Sequence, residues 1–329
     1  MTDDLLVPHV TGPLDAEVTL PGSKSITNRA LVCAALAEGT TVLEGALFAD
    51  DTEAMLHCLH DLGVGLRPDR AGRRIEVTGL AGAPSIDGAL LDARMSGTTS
   101  RFVMPIAALG DLTVVVDGHP SLRARPMRDL FDVLERMGKT IVPLGEAGHL
   151  PVQIEGAGLA GGSVQVRGDV SSQFLSGLLL AAPCMREGLE VEVATELVSE
   201  PYVAMTVAVM EEFGASVTTG PGHRRIRVEP TGYVAPERYA VEPDASAASY
   251  FFAAAALCGG SVTVPGLGSG SLQGDLRFVE VRRRRAGVGE LRREGVRESR
   301  VLRHRALPQQ PPVVRLRYAF LSGQPAGQE

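Results

Sequence analysis

Pro21-Gly22-Ser23-Lys24-Ser25-Ile26-Thr27-Asn28-Arg29-Ala30 is the stretch from which the rest of the chain is best read. Val18, Leu20 and the alternation before them predict a strand. Pro21-Gly22 ends it, and the apolar run from Ile26 through Leu31, Ala34 and Leu36 predicts the helix that follows. A helix start therefore falls at Lys24. Its free N–H groups and positive dipole end face whatever lies ahead of it, and Lys24 and Arg29 add two full charges. Ser25 and Arg29, four residues apart, share one helix face. An anion site fits these residues, and so does an ordinary Ser-capped helix with a solvated cation. Of 32 basic residues only Lys24 and Lys139 are lysines, so a lysine at 24 points to a compact, mobile ammonium there.

The stretch recurs along the chain. Ser25, Gly97-Thr98-Thr99, Ser171-Ser172-Gln173 and Ala245-Ser246-Ala247 each open a helix. From Ser25 to Thr98, Ser171 and Ala245 the steps are 73, 73 and 74 residues. Each start leads into an Ala/Leu-rich run, a glycine and a β-branched strand, and a second helix then ends at Gly63, Gly138 or Gly214, with steps of 75 and 76. One period implies one repeated supersecondary unit, too small to bury its own core, that reads as strand, helix, strand, helix, strands.

The period fails at one place. Asp275-Leu276-Arg277-Phe278-Val279-Glu280-Val281 begins a second helix, but Arg282-Arg283-Arg284-Arg285 stands where its apolar face should continue. Residues 282–329 hold 12 Arg, no Lys, no Asp and four Glu, a net +8 in a chain of net −7, which leaves −15 on residues 1–281. Such a reversal marks a boundary. The segment reads either as a basic nucleic-acid tail or as a stretch foreign to the fold, as a shifted reading frame would make it. The second reading is the stronger, because the break falls inside a helix pattern, and disorder is expected there.

Other features narrow the function classes. At 329 residues and 44% apolar the chain can bury large cores and suits two domains. No apolar run reaches the length of a membrane span, and Asp3-Asp4 is unlike a signal peptide, so a soluble cytoplasmic protein is expected. Cys33, Cys58, Cys184 and Cys258 lack metal spacing and read as buried thiols; His57 and His60 lack a third ligand, and no metal is expected. Gly138-Lys139-Thr140 mimics a P-loop end, but Val133 replaces the first glycine and the triplet ends a helix, so Lys139 reads as a surface lysine. Gly266-Leu267-Gly268-Ser269-Gly270 reads as a flexible turn. Trp is absent and aromatics are 4%, which speaks against base stacking.

In order, these motifs resemble those of the enolpyruvyl transferases, and among them the members acting on shikimate 3-phosphate. The likeness rests on Leu20 to Ser25 with Asn28-Arg29, Ser96-Gly97-Thr98 with Arg101, and Arg125-Pro126. It continues through Ser171-Ser172-Gln173, Ser199-Glu200-Pro201-Tyr202, and Asp244-Ala245-Ser246 with Gln273-Gly274-Asp275. It covers about residues 10–281. The resemblance implies an α/β fold of repeated βαβαββ units in two domains, with helix starts directed at the ligands. On that basis residues 21–239 are expected to form a complete three-unit domain, residues 1–20 and 240–281 a partial second domain, and 282–329 an Arg-rich tail outside the family pattern.

The implied reaction transfers the enolpyruvyl group of phosphoenolpyruvate to the 5-hydroxyl of shikimate 3-phosphate and releases phosphate, without cofactor or metal. By motif, Lys24, Ser25, Arg29, Ser171, Ser172, Gln173, Ser199 and Tyr202 are implied to bind shikimate 3-phosphate. Lys24, Gly97, Arg125 and Gln173 are implied to bind phosphoenolpyruvate, with Lys24 the catalytic candidate. Each also has an ordinary reading: cap, turn, surface charge or core. Met95-Ser96 replaces the family's usual Asn-Ala, and the general base and acid expected beyond Val281 have no counterpart there. A monomer acting on small molecules, with no nucleic-acid or membrane partner, is expected. The alternatives are a substrate-binding fragment without turnover, and the sister transferase acting on UDP-N-acetylglucosamine, whose usual loop cysteine is missing from Gly118 to Ala124.

Overall fold

The computed structural model describes residues 10, 12–169, 171–268, 270–277 and 313–318. In chain order the elements are β1 (Leu14–Glu17), α1 (Lys24–Leu36), β2 (Thr40–Glu44), α2 (Asp50–Asp61), β3 (Gly65–Asp69), β4 (Arg74–Thr78), β5 (Leu90–Asp92), α3 (Gly97–Ala108), β6 (Val114–Asp117), α4 (Pro120–Arg123), α5 (Arg128–Arg136), β7 (Thr140–Pro143) and β8 (Val152–Glu155). They continue with β9 (Gly162–Val166), α6 (Ser172–Ala181), β10 (Leu189–Val193), α7 (Glu200–Glu212), β11 (Val217–Thr219), β12 (Arg225–Val228), β13 (Arg238–Ala240), α8 (Ala245–Cys258), β14 (Gly260–Pro265) and β15 (Val313–Tyr318). Contacts divide the chain into two units: Gly22–Val241, and the residues before and after it.

The larger unit is three copies of one motif. The orders β5-β6-β8-β7 and β9-β10-β12-β11 are the same arrangement, a parallel first pair followed by antiparallel neighbours. The remaining sheet is β13-β2-β4-β3, in which β13 lies parallel to β2 where β5 and β9 lie in the other two. The repeat period is visible in the helices, because α1, α3, α6 and α8 begin at 24, 97, 172 and 245, steps of 73, 75 and 73. The second helices are followed by Gly63, Gly138 and Gly214, all at positive φ, the backbone that glycine supplies at a helix end.

The strand expected immediately ahead of Lys24 ends at Glu17 and belongs to the other unit, where β1 runs parallel to β14. Residues 18–21 carry no regular element, because the chain is leaving one unit for the other. Gly22 is required at that point: a Cβ there would stand 2.0 Å from the Gly45 carbonyl oxygen and 3.0 Å from Val241 Cγ1. The first and last residues of the larger unit are therefore neighbours.

Helices apolar on every side must be enclosed on every side. Ile26 to Leu36 of α1 are all buried, as are Phe102 to Ala108 of α3 and Phe174 to Ala181 of α6. The three pack on one another, with α2 and α7 closing over α1. In the smaller unit α8 has the same composition but buries Ala245, Ala248, Phe252 and Ala255 while exposing Tyr250, Phe251 and Leu257.

Two expectations need correction. Lys139 is not a surface lysine: it is 4% exposed, and Nζ donates to the carbonyls of Gly110, at 2.8 Å, and Gly156. It ties the turn after α3 to the strand side of the second repeat, and burial lowers its pKa. Val313–Tyr318, within the segment expected to be disordered, is a strand antiparallel to β14. Val314, Leu316 and Tyr318 alternate with Arg315 and Arg317, a period of two that the arginine count hides. The rest of that segment, including Arg282 to Arg285, lies outside the described residues.

Because its ends meet and its first sheet is completed from within, residues 22–241 are expected to fold when expressed alone. Urea unfolding should be one cooperative transition, with the amides of Arg238–Ala240 protected from exchange. Retained helix signal without cooperativity would show that the smaller unit is needed.

Candidate functional site

At the first turn of α1 the Ser23 side chain makes no capping hydrogen bond, and its carbonyl accepts from Thr27 N (2.9 Å) and Thr27 Oγ1 (2.8 Å). The Ser-capped reading thus fails at α1, whose first N–H groups are left uncovered by a side-chain cap. In contrast Ser96 Oγ accepts from Thr99 N (3.0 Å) at α3, and Ser171 Oγ from Gln173 N (3.2 Å) at α6. Lys24 extends from α1 to Asp51 of α2, with Nζ to Oδ2 2.7 Å, and remains about half exposed. The Asp51 carbonyl accepts from Thr99 Oγ1 at 3.0 Å, which joins the first turns of α1, α2 and α3.

Two guanidinium groups close on the start of α3. A Cβ placed on Gly97 would stand 2.8 Å from Arg125 Nη1, 3.2 Å from Arg101 Nη1 and 3.8 Å from Gln173 Oε1. Glycine therefore leaves a floor that three polar side chains overlook. Arg101 Nη1 donates to Gln173 Oε1, Gln173 Nε2 donates to Thr98 Oγ1 (3.1 Å), and the Arg101 guanidinium lies 4.8 Å from the centre of the Phe174 ring. Among the described residues neither Arg101 nor Arg125 has an ion pair, and the buried Arg101 Nε has no hydrogen-bond partner. Burial first, then the neighbouring Arg125 charge, pulls Arg101 down to about 10. Two like charges at one point, with no counter-charge among the described residues, leave a positive surplus that an anion could balance.

Arg29 is different in kind. It is 2% exposed, and burial pulls its guanidinium down to about 10, still charged at neutral pH. Nε donates to Thr206 Oγ1 (2.8 Å), Nη1 to the Ser25 carbonyl (2.9 Å), and Nη2 to Ser176 Oγ and the Tyr202 carbonyl (both 3.3 Å). The Phe102 and Tyr202 ring centres lie 5.4 and 5.8 Å away. All of these partners are neutral, so Arg29 both clamps α1, α6 and α7 together and adds an unbalanced positive charge beneath Ser25. Ser199, just ahead of α7, has φ 67° and ψ 43°, a left-handed backbone that costs a serine about 1–2 kcal/mol. Tyr202 follows one turn later, 38% exposed. Ser25, Ser171, Ser172 and Gln173 are partly exposed.

The sequence-predicted residues thus form two linked groups within Gly22–Val241. Lys24, Gly97, Gln173 and Arg125 gather at the starts of α1, α3 and α6, while Arg29, Ser25 and Tyr202 are joined through Arg29. Sequence reasoning missed Asp51 as the Lys24 partner and gave no role to Arg101, although its place four residues after Gly97 is one helical turn away. Met95, in the position of the family's usual asparagine, is 53% exposed. Arg94, Met95, His119 and Arg123 line an open depression of about 410 Å³ nearby. His57 meets Arg94, His60 meets Asp61, and no cluster of metal-type ligands occurs among the described residues.

A family model described as EPSP synthase (3-phosphoshikimate 1-carboxyvinyltransferase) matches residues 8–317. That match passes Val281, so the change in charge there is not the limit of the family likeness. The chain is 43% identical over 266 residues to the 3-phosphoshikimate 1-carboxyvinyltransferase of Shewanella sp. (strain MR-7), covering 80% of this chain and 62% of the relative. It is 41% identical over 279 residues to that of Nostoc sp. (strain PCC 7120), covering 85% and 65%. A solved EPSP synthase from Acinetobacter baumannii superposes with a TM-score of 0.74 at 25% identity, over 92% of this chain and 64% of that one. The chain spans less than two thirds of the length of these relatives.

Two substitutions probe the geometry. Gly97→Ala should keep the fold, since the methyl meets side-chain ends and no backbone, but should weaken binding of a phosphorylated ligand at least about tenfold by pressing on both guanidiniums. Unchanged affinity by calorimetry would move the anion elsewhere. Ser199→Gly should raise stability to urea by up to about 1 kcal/mol by relieving the left-handed backbone, and weaken ligand binding through the lost hydroxyl.

Proposed function

We propose that this chain, which belongs to the EPSP synthase family, binds shikimate 3-phosphate and phosphoenolpyruvate at the helix starts of residues 22–241. It would thereby serve the transfer of the enolpyruvyl group to the 5-hydroxyl with release of phosphate. One observation carries this reading: Arg101 and Arg125 converge on Gly97 with no carboxylate partner among the described residues, so the site is charged for an anion. Both substrates are multiply anionic, and charge-assisted hydrogen bonds to phosphate are among the stronger interactions open to a surface. Arg125, Gly97 and Gln173 are assigned to phosphoenolpyruvate. Ser25, Arg29, Ser171, Ser172, Ser199 and Tyr202 are assigned to shikimate 3-phosphate, and Lys24 and Gln173 to both.

Chemistry asks for more than binding. A proton must leave the 5-hydroxyl and another must reach the vinyl carbon. Lys24, whose ammonium pairs with Asp51, is the catalytic candidate of this set. No helix among the described residues is long and apolar enough to cross a membrane; we assign the protein to the cytoplasm, as a monomer without metal or cofactor.

Titration calorimetry with shikimate 3-phosphate, then with phosphoenolpyruvate added, tests this. Lys24→Ala and Arg125→Ala should each weaken binding by about 1.5–3 kcal/mol. Arg67→Ala, at an exposed arginine paired with Glu76 on β4, should not. Because residues 282–329 hold no Asp and no Lys to match the general base and the lysine that the resemblance implies there, phosphate release by the 329-residue chain is expected to be at least about a thousandfold slower than by the Shewanella relative, the scale of acid-base catalysis and positioning. Equal affinities for all three variants would remove the assignment.

A further inference from the structure

We propose that Arg101 is a positioning residue: it holds the Gln173 amide in one orientation and masks the one acceptor that Gln173 would otherwise turn toward an anion over Gly97. This rests on the anion-site reading given above. The two ends of a glutamine amide are alike in shape but opposite in polarity, so something must decide which faces where. A guanidinium has five donors and no acceptor. The amide atom meeting Arg101 Nη1 must therefore be oxygen, and the nitrogen is directed to Thr98 Oγ1, 3.1 Å away on the first turn of α3.

Arg101 is itself kept in place. Its guanidinium rests on the Phe174 ring at 4.8 Å, and Phe174 follows Gln173 directly, so the arginine grips two successive residues of α6. The bond also spans two repeats, tying the start of α3 to the start of α6. Arg125, on the loop before α5, reaches the same floor with no such tie among the described residues and stays exposed. One arginine is thus built into the frame and the other is left for a ligand. Without Arg101 the amide can flip, placing an unmasked oxygen beside the anion and costing affinity beyond the loss of the Arg101 charge itself.

The test uses the full chain, with Arg101→Met, Arg101→Lys, Arg101→Gln, Gln173→Ala and the double variant Arg101→Met/Gln173→Ala. The first measurement needs no ligand. With glutamine side chains labelled for NMR, the Gln173 amide is identified by its loss in Gln173→Ala. It should exchange with solvent at least about tenfold faster in Arg101→Met than in the parent or Arg101→Lys. If the apolar variant does not fold, Arg101→Gln, which keeps a donor at shorter reach, should still show faster exchange than Arg101→Lys.

The second measurement is phosphoenolpyruvate affinity with shikimate 3-phosphate present. Arg101→Met should weaken it about 10- to 100-fold, and Arg101→Lys by no more than about threefold. The double variant should lose clearly less than the sum of the two single losses. An unchanged Gln173 amide in Arg101→Met overturns the proposal. So do additive losses in the double variant, which would make Arg101 a direct ligand of the anion. If the amide responds as expected but the parent chain binds neither substrate, the positioning role stands and the reading of the site fails.

Discussion

The structure of the larger unit depends on enclosing three helices that are apolar on every side. An amphipathic helix can lie on a surface, but α1, α3 and α6 cannot, and each has to be surrounded by the others and by the sheets of the repeats. Once they are packed together, the only parts able to carry polar chemistry are their ends. Ser23-Lys24-Ser25, Ser96-Gly97-Thr98 and Ser171-Ser172-Gln173 are those ends, and Arg101–Gln173 and Lys24–Asp51–Thr99 link them. Site and core are thus two aspects of one packing requirement.

Arg29 shows how this arrangement places charge. A buried cation surrounded only by hydroxyls, carbonyls and rings is poorly compensated, and removing its partners would cost several kcal/mol. Here the partners come from Ser25, Ser176, Tyr202 and Thr206, on three helices of two repeats. The charge is stabilised enough to persist and not enough to be neutralised. Together with Arg101 and Arg125 it leaves the helix ends with a surplus of positive charge that an anion can balance.

Much of this was legible in the sequence, because the repeat writes the same sentence three times. A period of about 73 residues, a small polar helix start and a glycine after each second helix located α1, α3 and α6 and the residues at their ends. Contacts between repeats were not legible. Nothing local pairs Lys24 with Asp51, buries Lys139 against two carbonyls, or sends Arg29 to Thr206, since sequence period fixes each unit and says nothing of how side chains cross to the next. Composition also misled at Val313–Tyr318, where the arginines drew attention from an alternation that is plainly strand-like. Ser199 gave no warning of its left-handed backbone, a conformation set by its surroundings rather than by its side chain.

The position of β13 has a bearing on how the chain acquires its structure as it leaves the ribosome. β2 has β4 on one side from the start, but its other edge is filled by β13, which is translated roughly 200 residues later. Until then the first repeat presents an open parallel edge, and the loop closed by the last pairing is the longest within the unit. The second and third repeats can complete their sheets locally while the first waits. The first repeat is thus synthesised first but is the last to have its sheet completed, so vectorial synthesis and structural completion run in opposite directions.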